Sequence, residues 1–519
     1  MRSKNAIINV ISSVSLQVIT IICGFIIPKI MITHFGSEVN GFVHSITQFL
    51  AYITLLESGF GPVVKSILFK PIANKDKRTI EDILKTSEKF FRKIAYIFIV
   101  YILILCVAFP IMFSNEFDTI FTLSLVVIIA VSTFAEYYFG MTYKLYLYAE
   151  QKTYVISCIQ IGTIILNTIA VITLIHFGAS IQIVKLATCL IFVLRPILQN
   201  IYVKKKFKIN LKQAKGNYKI EQKWEGLAQH IAYVVHKNTD IVILTICGSL
   251  ADISVYSVYL MIINAIKSIT RSFIGGIDAT LGDMIAKGEN EKLNKTFKTL
   301  EDYYITIATV LFSATIFLIV PFVNLYTKGI TDANYIVPEF AVLMVLAEFV
   351  WAIRQPYNDL VKAAGHFKQT RIGAWIEAIS NIVISFILVW NYGIIGVAIG
   401  TLFAMSFRTI EFMYHCSRYI LNRSVWYTLK RLFVIAFEFC ILAVIINCLP
   451  KVEITTYQTW ILQAIAITSI STIVVITINC LVYRDNVKNV LGIVKNFKRK
   501  SLIWQHFWLQ VELVLLALI

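Results

Sequence analysis

The chain has 519 residues, 58% of them hydrophobic, with a mean hydropathy of +0.74 and a formal net charge of +18. A hydrocarbon core about 30 Å thick takes roughly 20 apolar residues of helix to cross, so this composition describes a chain that crosses a bilayer many times. A nucleic-acid reader is excluded: it would gather its charge on a folded polar domain or along one stripe, whereas here Lys and Arg sit in short gaps between apolar stretches.

Apolar runs, bounded by turn and charge signals, predict an all-α polytopic membrane protein with about fourteen spans. They fall at 6–33, 39–61, 93–113, 119–143, 153–177, 180–203, 226–247, 251–279, 303–326, 338–360, 371–392, 393–415, 428–449 and 458–483. Arg2 and Lys4 precede the first span, and no small-residue cleavage pattern follows Pro28 and Lys29, so that span is expected to stay as an anchor.

The gaps alternate in charge. Lys65 to Lys93 holds nine Lys or Arg and Lys204 to Lys223 holds eight, while the intervening gaps hold only Lys328 and Lys451. Positive loops resist translocation across an inside-negative membrane, so the basic gaps and both termini are expected in the cytoplasm. The sparse gaps, among them 114–118, 326–337 and 450–457, are expected outside, and all are too short to fold into a domain. Some of the basic surplus should meet anionic headgroups, at about 1 kcal/mol per Lys or Arg.

An internal repeat divides the chain. Phe35 to Ser45 aligns without gaps on Cys247 to Ser257, with four identities at an offset of 212. Gln151 to Asn167 and Gly178 to Arg195 resemble Gln369 to Asn381 and Gly393 to Arg408 at nearly the same offset. The pattern predicts two parallel six-helix lobes, 1–203 and 226–427, joined by a basic cytoplasmic linker at 204–225. Spans thirteen and fourteen would follow at 428–483, and then a basic tail at 484–519 whose 501–519 stretch reads as a membrane-surface helix. Transporters are often built this way, with the site at the repeat interface near the midplane. The nine cysteines all fall in apolar stretches, without CxxC or nearby His spacing, and read as small buried hydrophobes.

Charges within the spans are the candidate site residues, because each costs about 2.5–3.5 kcal/mol at a helix centre. Lys267 and Arg271 lie four apart on one face of span eight, where like charges repel unless something anionic lies opposite. A pyrophosphate would suit them, Arg offering a bidentate fork and Lys a point charge; Asp278 and snorkelling toward headgroups are the bland alternative. In span seven, His236 and Lys237 can both reach Asp240, as a self-neutralised pair or as a switch in which Asp240 exchanges Lys237 for a cation or proton. Glu57, Glu136 and Glu348 have no Lys or Arg at helical spacing and need tertiary partners. Lys29, near the end of span one, either snorkels or faces a cavity. Arg408 and Glu411, three apart, read as a structural pair, and Arg195 as an anchor.

No Walker, GxSxG or HExxH signature is present, so no catalytic or metal-binding residue is assigned and any transport must draw on gradients. Five passages, Leu55 to Gly61, Tyr148 to Thr153, Asn238 to Leu244, Ala364 to Lys368 and Gly393 to Thr401, carry a resemblance. By these the chain resembles the Wzx-type polysaccharide-repeat flippases of the multidrug/oligosaccharidyl-lipid/polysaccharide exporter superfamily, over about residues 5 to 483.

The resemblance implies a monomeric flippase in the cytoplasmic membrane of a bacterium. It would turn an undecaprenyl-pyrophosphate-linked oligosaccharide from the inner to the outer leaflet by alternating access, beside polysaccharide-assembly proteins. It places Lys29, Lys237, Lys267 and Arg271 on the substrate, with Asp240 and Glu57 in the same cavity; these two and the intramembrane carboxylate Glu348 are the candidates for gating or for coupling to Na⁺ or H⁺, with no other cofactor expected. The membrane potential would assist, at about 2.3 kcal/mol per charge per 100 mV. A lipid II flippase and a cation-coupled multidrug exporter of the same fold are the alternatives within transport. A membrane glycosyl polymerase or ligase is the alternative outside it, disfavoured by the short outer gaps.

Overall fold

The computed structural model describes residues 2–57, 59–220, 227–275, 277–450 and 453–483, with backbone alone at 2–4, 6, 227–233, 236, 237 and 279. The expected tail, 484–519, lies outside the described residues. The chain divides into two compact units, Met1–Ser254 and Val255–Ile519.

The first unit holds α1 (Arg2–Phe35), α2 (Ser37–Ala51), α3 (Thr54–Glu57), α4 (Phe60–Asn74), α5 (Lys77–Met112) and α6 (Thr119–Ala135). A π-helical turn, Glu136–Gly140, then leads into α7 (Met141–Ala149), followed by α8 (Thr153–His176), α9 (Ile181–Phe207), α10 (Leu227–Cys247) and the first turn of α11 (Leu250–Ser272). Helix α1 packs on α8, and α9 on both α8 and α6. At 1.5 Å per residue the 36 residues of α5 outrun any bilayer, so its polar first half projects beyond the apolar half. Asp76 caps that end, accepting from the Thr79 N–H at 3.1 Å and the Thr79 hydroxyl at 2.6 Å; these bonds hold its carboxyl below the usual carboxylate range.

The basic segment after α9 is fastened along this projecting half. The N–H groups of Asn210 and Gly216 donate to Glu81 at 2.8 Å and Asp82 at 2.6 Å. The Lys89 ammonium donates to the carbonyls of Lys215 and Gly216, while Ile209 and Leu211 are buried. Side chains of α5 thus hold the backbone of the segment, two carboxylates taking its N–H groups and one ammonium its carbonyls.

The two segments that repeat in sequence meet at α2. A Cβ on Gly41 would fall on the carbonyl of Leu250, so only glycine lets the backbones approach this closely. The Asn40 amide donates to the Ser254 hydroxyl at 2.8 Å, and the Ser45 and Thr245 hydroxyls are 2.9 Å apart. This packing places α10 in the first unit.

The second unit holds the rest of α11, then α12 (Ile277–Ala286), α13 (Asn290–Tyr326), α14 (Pro338–Ala363), α15 (Arg371–His415) with a π-helical turn to Ile420, α16 (Val425–Cys448) and α17 (Tyr457–Val482). Helix α14 is central, packed on α12, α13 and α15. Helix α15 is two helices joined at Gly393, whose φ of 53° and ψ of −131° reverse the chain. The halves fold onto each other through Asn381 donating to Thr401 at 3.0 Å and Ser385 to the Val397 carbonyl at 3.3 Å. The reversal falls at the expected junction of spans eleven and twelve.

Among the described residues, eleven helices are long and apolar enough to cross a membrane, one of them the folded α15, and a shorter apolar helix runs over Asn238–Cys247. The protein is an all-α polytopic membrane protein.

Candidate functional site

Helix α11 carries Lys267 and Arg271 one turn apart, and α14 carries Glu348 and Asp359 eleven residues apart, which at 3.6 residues per turn is three turns and one face. The cations and carboxylates meet. Lys267 Nζ is 2.6 Å from Glu348 Oε2 and 4.2 Å from the centroid of the Trp351 ring. Arg271 donates from Nη2 to Asp359 Oδ1 at 2.8 Å, and its Nη1 lies 2.8 Å from Oδ2 as an ion pair. Lys362 reaches the same carboxylate at 3.7 Å.

Burial divides this cluster by sign. The Glu348 and Asp359 side chains are 7% and 4% exposed, whereas Lys267 is 18% and Arg271 36% exposed. The carboxylates are therefore the buried members of the cluster and the cations the accessible ones. Three cations against two carboxylates leave a formal excess of one positive charge. Such an arrangement can receive a phosphate, because a phosphate oxygen pair presents to a guanidinium the geometry that the Asp359 carboxylate presents now.

The other faces of α14 are fixed by buried ion pairs. Arg354 bonds Glu377 at 2.7 Å, and Arg408 bridges Glu377 at 3.4 Å and Glu411 at 2.5 Å. The Tyr357 hydroxyl donates to Glu301, which also takes Arg423 at 2.8 Å; the adjacent Asp302 takes Arg431 at 2.9 Å and the Tyr427 hydroxyl. Each of these charges is committed to a partner, which marks them as the frame that positions Glu348 and Asp359.

The structure brings three of the expected residues together: Lys267, Arg271 and Glu348. Glu348 has found its tertiary partner in Lys267, and Arg408 pairs with Glu411 as its spacing predicts. The carboxylate opposite Arg271 is Asp359, although Asp278 was the nearer candidate along the chain. Asp359 escapes a sequence reading because it lies next to the expected end of span ten, where a charge costs little; its signal is the three-turn spacing from Glu348.

The remaining candidates belong to the first unit. Glu57 accepts from the Tyr137 hydroxyl at 3.2 Å, and Glu136 pairs with Lys144 at 2.8 Å. Asp240 is buried beside Tyr52, whose hydroxyl bonds Thr239. Lys29 is half-buried on α1, with Thr33 donating to its carbonyl at 2.8 Å. The side chains of His236 and Lys237 lie outside the described residues.

No family model matches the sequence, and no curated protein matches it. Solved structures share the fold. A lipid II flippase, MurJ, in an inward closed conformation aligns over 93% of this chain and 100% of its own, with a TM-score of 0.68 at 16% identity. An inward-facing multidrug resistance MATE family transporter of the MOP superfamily aligns over 79% of this chain and 98% of its own, with a TM-score of 0.57 at 14% identity. The eukaryotic MATE transporter AtDTX14 covers 79% of this chain with a TM-score of 0.53 at 12% identity. At these identities the likeness is one of fold.

Proposed function

We propose that this protein is a flippase that moves a lipid-linked saccharide across the membrane by alternating access, with fourteen spans arranged as two six-helix lobes and two further helices. The carrying observation is the Arg271–Asp359 ion pair beside Lys267–Glu348, each a buried acid against a part-exposed base. With no headgroup bound, the carboxylates neutralise the cations. An arriving pyrophosphate displaces them from Arg271 and Lys267, and its release to the outer leaflet lets the pairs re-form, so the empty site can return without an unpaired charge in the membrane.

Two substrates share this chemistry, an oligosaccharide repeat unit on its carrier and lipid II. The fold comparison favours the second: the lipid II flippase matches over its whole length and at a higher TM-score than the multidrug transporters. Coupling to Na⁺ or H⁺ at Asp240, Glu57 or Glu348 belongs to the same proposal, as do a monomeric state and a cytoplasmic-membrane location with both termini inside.

The test is leaflet transfer of fluorescent lipid II, and of a fluorescent lipid-pyrophosphate repeat unit, in proteoliposomes of known protein content. Lys267→Glu and Arg271→Glu should each lower transfer by about tenfold, equivalent to ~1.4 kcal/mol of lost binding. The swap Arg271→Asp with Asp359→Arg should restore the ion pair and thermal stability but not transfer. Transfer regained by the swap would make the pair structural and remove it from the substrate path.

A further inference from the structure

A cleft lies between two loops, one of which is bonded to α11 through Tyr259. The loop after α13 and the loop before α17 enclose a cleft of about 420 Å³, within the range of roughly 300–1,000 Å³ typical of small-molecule sites. Its exposed polar side chains are Asn324, Lys328, Asn334 and Thr455, with Thr327 and Tyr335 buried in its wall, and its apolar floor includes Ile330, Ile336 and Ile454. Asn334 uses its carbonyl oxygen to hold the N–H of Ile336 at 3.0 Å, which leaves its amide N–H₂ to the cleft. Asn324 makes no side-chain bond among the described residues.

The cleft is braced on the helix that carries the cations. Tyr259 of α11 donates its hydroxyl to the carbonyl of Tyr335 at 2.8 Å and accepts from the N–H of Val337 at 3.4 Å. Eight residues, a little over two turns, separate Tyr259 from Lys267 on the same helix. Both loops lie in gaps that the charge bias assigns to the outer side, away from the basic gaps.

We infer that this cleft is an outward-side saccharide site, receiving an uncharged sugar ring of the headgroup as it leaves the cationic cluster. Planar amides and a hydroxyl suit vicinal sugar hydroxyls, Asn324 and Thr455 offering donor and acceptor together and Asn334 its N–H₂. The isoleucine floor suits the C–H face of a pyranose. A pyrophosphate is a poor occupant, since Lys328 is its one cationic lining residue. The assignment of the sugar to a lipid-linked headgroup rests on the flippase reading; the affinity for a saccharide does not.

The experiment is saturation-transfer difference NMR on the full-length protein in detergent, with N,N′-diacetylchitobiose as the probe and inorganic pyrophosphate as competitor. Transfer to the disaccharide should be seen, should survive pyrophosphate, and should fall about five-fold in Asn324→Ala with Asn334→Ala. Asn324→Ala alone breaks no side-chain bond among the described residues, so its thermal midpoint should match that of the parent while its transfer still falls; in the double variant the Ile336 N–H also loses its acceptor. No transfer above a detergent blank, or equal transfer in parent and variant, overturns the cleft. Flipping with no disaccharide binding also counts against it and leaves the flippase reading intact. Asn-dependent binding in a protein that does not flip lipid II supports the cleft and counts against the flippase.

Discussion

Glu348 and Lys267 show what one side chain can do when its partner is removed from the membrane interior. Truncating one member of a buried ion pair strands the other charge, at a cost of about 3–5 kcal/mol, whereas replacing both by apolar groups is often neutral. Glu348→Gln should therefore lower the thermal midpoint in detergent clearly, and Lys267→Met with Glu348→Leu should recover it. Flipping should stay low in the double variant, since the cation proposed to meet the headgroup is gone. A double variant that flips normally would assign Lys267 to the frame with Arg354 and Arg408. Which acid sits opposite which base could not be read along the chain: Lys267 and Glu348 are far apart in sequence, and their meeting is a product of packing.

Among the elements, α2 is the one held by backbone proximity. Its Gly41 lies under the Leu250 carbonyl, while a Cβ on Gly24 of α1 meets no atom within 4 Å. Gly41→Ala should destabilise the protein by about 1–3 kcal/mol through overpacking, and Gly24→Ala should stabilise α1 by up to about 1 kcal/mol through helix propensity. Thermal unfolding of the two variants should thus shift in opposite directions. A neutral Gly41→Ala would mean that α2 and the α10–α11 corner can separate at little cost. The repeat at 35–45 and 247–257 was legible as four identities at one offset, but its packing role was not. Helix α15 teaches the converse: the junction at Gly393 was readable because an Asn-Tyr-Gly run interrupts an apolar stretch too long for one span, and the positive φ there is what a turn asks of glycine.

For the whole molecule the prediction is electrical. A headgroup of about two negative charges leaving an inside-negative compartment gains about 2.3 kcal/mol per charge per 100 mV. A valinomycin-clamped potassium gradient, negative inside, should speed outward transfer, and reversing its sign should slow it. Rates indifferent to the potential would exclude the field as the drive and leave a coupled ion as the source of energy. Cysteine placed at Lys328 should react with an impermeant maleimide in intact cells, and cysteine at Lys215 only after permeabilisation; the opposite pattern would invert the outer cleft as well as the transport direction.

Read along the chain alone, the residues sufficed for the all-α membrane class, the approximate spans and the sidedness expected of them. These depend on local quantities, the run length of apolar residues and the charge of the gaps between, and both are summed along the chain. Lys267, Arg271 and Glu348 stood out too, because a charge within an apolar run is costly wherever it folds. Packing alone made Asp359 the partner of Arg271, set α14 at the centre of its unit, and strapped the basic segment after α9 to α5. Those outcomes depend on which helix faces which, a relation between residues distant in sequence that no periodicity encodes.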